Sequence, residues 1–199
     1  AARARPGAPR TAADADRATW ARERLAHFCA ERQRGALDVA AFIFESLQEE
    51  PRFVEGVGAW LRDISALQRS ARADQEAVFS RLVNDRLQGI ELLGAVASDP
   101  GRFGVAAEQA RAELAGVVHT RVAARLPKAL RYITRAERYE ALALLARVGP
   151  EDAIVAAARY QGQADQRFFE EAAVMGLMQN GLSMREATAQ IRRAMAGAR

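Results

Sequence analysis

Cysteine occurs once in the 199 residues, at Cys29, so no internal disulfide and no multi-thiolate metal site can form. Histidine occurs only at His27 and His119, and neither sits in the Glu-x-x-His unit of a di-iron bundle. Aromatic residues make up 7% of the chain, and β-branched residues are also sparse. Strands draw on these residue types, so a sandwich, a barrel and a doubly wound sheet are excluded. No apolar run exceeds six residues, as in Val39 to Phe44, far short of the ~20 needed to span a bilayer. The Gly-x-Ser-x-Gly elbow, the phosphate-binding Gly-x-x-x-x-Gly-Lys loop and the Gly-x-Gly-x-x-Gly turn are all missing. Acyl transfer and nucleotide binding therefore lose their usual signatures.

What the chain has is alanine and arginine, 45 and 28 residues, against a single lysine at Lys128. Both abundant types lead the intrinsic helix scale. The length suits one domain or two small ones. Apolar residues recur at helical spacing in Val39, Phe42, Ile43 and Leu47, and again in Phe53, Val57, Trp60, Ile64 and Leu67. The pattern predicts an all-α fold, an irregular bundle of about nine to ten helices, with stacked helical hairpins as the variant form. Helices are expected over about 14–33, 37–49, 51–67, 74–97, 105–126, 128–133, 134–148, 150–160, 164–179 and 184–199. Pro51 suits the first turn of its helix. Asp99-Pro100-Gly101 reads as a turn, and a subdivision of the helical domain 14–199 is placed near 98–104. Thr134 with Glu137 has the spacing of a capping box, and so has Ser183 with Glu186.

The net charge of +4 is unevenly placed. Residues 1–13 carry Arg3, Arg5 and Arg10 and no acid, which predicts a flexible basic arm that orders only against a partner. The opening also lacks the apolar h-region of a secretory signal. That favours a soluble intracellular protein, in the bacterial cytoplasm or in an organelle matrix after presequence removal. Residues 184–199 are basic again through Arg185, Arg192, Arg193 and Arg199, opposed only by Glu186.

Candidate chemistry is thin elsewhere. Cys29 lies two residues from His27, about 200° round a helix, so the pair points apart and a buried, inert thiol is expected. Glu23 and His27 share a helix face as a local surface pair. Glu49-Glu50 and Glu170-Glu171 are adjacent, hence divergent on a helix, and read as solvated faces. These features predict no catalytic residues, no cofactor and no metal.

The densest constellation is basic. Arg121, Arg125, Lys128, Arg131, Arg135 and Arg138 recur every three or four residues, with Tyr132 and Tyr139 among them. At 100° per residue the six cations fall within an arc of about 140°. Guanidinium forks pair with phosphate oxygens and aromatic rings stack on bases, so the stripe is a candidate polyanion or partner site. Pro127 would kink such a helix and split the stripe.

Near the end, the run Gly181-Leu182-Ser183-Met184-Arg185-Glu186-Ala187 resembles the opening of the first helix in helix-turn-helix modules of recombinases and transposases. Such modules continue with a second turn and a recognition helix, which the stretch to Arg199 does not accommodate. A capped helix packing Ile191 and Met195 inward is expected there. The leading expectation for function is a non-catalytic helical interaction protein, a structural or accessory subunit whose partners are other protein subunits. The alternative is a nucleic-acid-binding protein using the 121–138 stripe and the basic termini.

Overall fold

The computed structural model describes residues 12–35, 37–63, 76–119, 128–149 and 166–197. Among them lie nine α-helices and no strand: α1 (Ala12–Gln33), α2 (Val39–Glu49), α3 (Phe53–Leu61), α4 (Glu76–Ser98), α5 (Pro100–Phe103), α6 (Val105–Val118), α7 (Lys128–Val148), α8 (Gln166–Gln179) and α9 (Met184–Gly197). The irregular all-helical bundle expected from composition is the fold.

Local chemistry explains most of the boundaries. Asp38 accepts from the amides of Ala40 and Ala41 at 2.9 and 3.1 Å and starts α2. Pro51 falls in the turn before α3 instead of in its first turn, because the Glu50 side chain accepts from the Arg52 amide at 3.0 Å. The Asp99-Pro100-Gly101 turn is wound into the one-turn helix α5. Asp99 caps it through the Arg102 amide at 3.0 Å, with proline at the first position. Gly181, at φ +89°, ends the α8 turn in the left-handed region that favours glycine. The Ser183–Glu186 box then forms as expected. The Glu186 carboxylate accepts from the Ser183 amide at 2.9 Å, and the Glu186 amide donates to Ser183 Oγ at 3.3 Å.

The second expected box is a correction. Helix α7 runs unbroken through Thr134 and Glu137, and both are buried inside it. Their Ser/Thr-x-x-Glu spacing caps nothing. Glu137 is drawn inward by the buried Arg86 of α4. The helix expected over about 105–126 stops at Val118, where His119 leaves helical geometry with its amide still donating to the Ala115 carbonyl at 3.0 Å. Residues 120–126 and the helix expected over about 150–160 lie outside the described residues, as do Ile64 and Leu67.

Helix α4 is the centre of the packing and touches α1, α3, α6 and α7. Helix α1 lies on α3, α3 on α6, and α6 on α7; α7 carries α8, which carries α9. The α1 residues Ala18, Ala21, Leu25, Phe28 and Cys29 enter the core at steps of three and four, as one face of a helix must. Helix α3 is apolar nearly all round and is buried accordingly. Residues on both sides of the 98–104 segment join one buried cluster, with Leu93 and Val96 before it and Leu114 and Leu145 after it. Gly176 allows a close crossing: a Cβ there would run into the Ala143 carbonyl oxygen, so α8 and α7 approach through their backbones.

Candidate interaction surface

The core holds one concentrated polar centre. Arg86 of α4 reaches Glu137 of α7 through two bonds, Nε to Oε1 at 2.5 Å and Nη2 to Oε2 at 3.0 Å. Its Nη1 donates to the Trp60 carbonyl at 3.1 Å, its Nη2 to the Leu61 carbonyl, and its guanidinium lies 5.3 Å from the Trp60 ring centroid. Those carbonyls lie at the C-terminal end of α3, where the Trp60 carbonyl also accepts from the Asp63 amide at 3.0 Å, so the cation complements the helix dipole there. The centre fastens three helices. It is sealed from solvent, with the two side chains 1% and 4% exposed, and so it cannot meet a substrate.

Cys29 is buried, and its thiol is pushed up to about 12, chiefly by burial and then by the Asp85 charge and hydrogen bond. A thiol in that state is no nucleophile at neutral pH. Glu23 and His27 lie on the solvent side of α1. Among the described residues no group of three His, Cys, Asp or Glu side chains could hold a metal ion. No described helix is long and apolar enough to cross a membrane.

The basic stripe is only partly in view. Arg121 and Arg125 lie outside the described residues, and Lys128, Arg131 and Tyr132 are described only as backbone of α7. Arg135 is exposed and Arg138 half-buried, and both are engaged by neighbours. Tyr139 packs against the core. Its phenol is raised by burial first and then by the carboxylates Glu171 and Glu140, so the C-terminal end of the stripe borders acidic ground. Of the termini, Arg3, Arg5, Arg10 and Arg199 lie outside the described residues, while Arg192 and Arg193 are exposed on α9.

A different surface was not legible as a site. Phe44 of α2 is 38% exposed and meets Phe103 of α5 with ring centroids 5.2 Å apart. The Arg102 guanidinium lies over the outer Phe44 ring, 5.4 Å from its centroid. Among the described residues it has no carboxylate partner. Val105, at the start of α6, adds a side chain that is 72% exposed. Helix α2 is held in place behind this face by Arg24 of α1, which donates to Ser46 Oγ at 3.0 Å and to Glu45 at 3.3 Å. The available signal was angular. Phe44 falls on the far side of α2 from the Phe42–Ile43 stripe that enters the core, and an aromatic there needs another neighbour.

No family model, curated protein or solved structure matches the chain.

Proposed function

We propose that this protein is a non-catalytic helical interaction protein, a structural or accessory subunit of a larger protein assembly. The observation that carries the proposal is the Phe44–Phe103 face with Arg102 laid across it. Two rings, a guanidinium with no carboxylate partner among the described residues and an exposed valine are the residue types that anchor protein interfaces, where aromatic and arginine side chains supply most of the binding energy. The same groups define the partner: an apolar anchor to cover Phe44, Phe103 and Val105, flanked by a carboxylate for Arg102. The rigid helical core behind the face pre-organises it, which lowers the entropic cost of docking.

Native co-purification tests this. The chain is expected to leave the cell in a stoichiometric complex with other polypeptides, and Arg102→Ala with Phe44→Ala is expected to release it. A native fraction holding nucleic acid and no second polypeptide would overturn the proposal.

A further inference from the structure

A second surface, independent of the aromatic face, lies on α9. This helix buries Ala187 and Ile191 and turns Arg185, Arg192 and Arg193 to solvent. At 100° and 1.5 Å per residue, the three cations fall within an arc of about 100°, with Arg185 and Arg192 about 10 Å apart along the axis. Ala189 and Ala196 lie exposed within that arc and leave a shallow floor between the guanidinium groups.

The helix contains one acid, Glu186, and it is already committed. Its carboxylate accepts from the Ser183 amide at 2.9 Å and from Ser183 Oγ at 2.6 Å, bonds that hold it below the usual carboxylate range. Arg193 spends only its Nε, on the Ala189 carbonyl at 3.3 Å. Among the described residues Arg185, Arg192 and Arg193 have no ion pair.

We propose that this outer face of α9 binds the phosphate backbone of nucleic acid, without reading sequence. Guanidinium forks match phosphate oxygens, and affinity for a polyanion comes from phosphate contacts and counterion release, with no need for an apolar anchor. An acidic protein segment would need such an anchor, and a membrane surface would need side chains that insert. The arc offers only alanine; exposed Met184 lies about 80° outside it.

The probe is a fluorescein-labelled 20-base-pair DNA duplex, titrated by anisotropy with the full chain between 50 and 200 mM KCl. Arg185→Gln/Arg192→Gln/Arg193→Gln should keep its helical circular dichroism. Its plot of log K against log[salt] should be shallower by about two to three units, each phosphate contact contributing about 0.9. The matching triple Lys variant should retain the parent slope, because the effect is one of charge. The proposal is overturned by a parent that fails to bind the duplex, or by a Gln variant with the parent slope. It is also overturned if polyglutamate, or vesicles containing phosphatidylserine, bind as tightly as the duplex at equal charge concentration. A shallower slope in Arg131→Gln/Arg135→Gln, with the α9 variant unchanged, would place the phosphate site on α7 instead.

Discussion

Arg86 and Glu137 face each other inside the bundle as a two-bonded ion pair, although they lie 51 residues apart and on different helices. Arg86 also closes the end of α3 through the Trp60 and Leu61 carbonyls. The pair therefore sets the relative positions of α3, α4 and α7. Removing one partner leaves the other charge buried and uncompensated, which costs far more than the pair contributes net.

Glu137→Gln keeps the shape and deletes the charge. It is expected to lower the unfolding free energy by about 3–5 kcal/mol, measured by urea denaturation. Arg86→Met combined with Glu137→Leu should recover most of that loss, because no charge is then left alone in the core. A Glu137→Gln effect below about 1 kcal/mol would mean that solvent reaches the site.

Gly176 provides a steric counterpart on the other side of α7. Gly176→Ala places a methyl against the Ala143 backbone, which cannot rotate away, so α8 must back off from α7. The expected loss is about 1–3 kcal/mol in the same denaturation experiment, the usual range for overpacking. Gly181→Ala meets nothing within 4 Å and tests conformation alone, at φ +89°. It should cost about 1–2 kcal/mol through left-handed strain. Equal losses of a few tenths for both would contradict the close crossing.

Cys29 supplies a pH-dependent prediction. Its thiol stays protonated in the folded chain up to about 12, whereas the unfolded thiol ionises near its ordinary value of 9.0. The unfolded state thus releases a proton first as pH rises. The contribution of this group is fully present below pH 9 and is lost between about 9 and 12. Melting temperature should fall over that window, and Cys29→Ala should fall less steeply. Iodoacetamide should leave the folded protein unmodified at pH 8 and alkylate it in urea. Rapid alkylation of the folded chain would show an accessible thiolate.

The helical architecture was open to sequence reasoning because alanine, arginine and three-to-four spacing all point one way. The Ser183–Glu186 box was legible for the same local reason. Thr134 and Glu137 carry an identical spacing, yet tertiary structure overrides it: Arg86 needs a carboxylate, and a continuous α7 delivers one. Arg86 did leave a trace, since it falls at i+4 from Leu82 and i−4 from Ile90, on the stripe that enters the core. Only packing could show that a guanidinium occupies that stripe. The Phe44–Phe103 contact joins α2 to α5 across 59 residues, and no local period encodes such a pairing.

Site-specific photo-crosslinking tests the central claim, protein docking through the Phe44–Arg102–Phe103 face, most directly. A photoreactive phenylalanine analogue replaces Phe44 in one sample and Glu23, on the exposed side of α1, in another, in the cell that makes the protein. The account predicts one discrete polypeptide adduct from position 44, absent from position 23 and lost when Arg102→Ala is added. No adduct at position 44, or the same adducts from both positions regardless of Arg102, would contradict it.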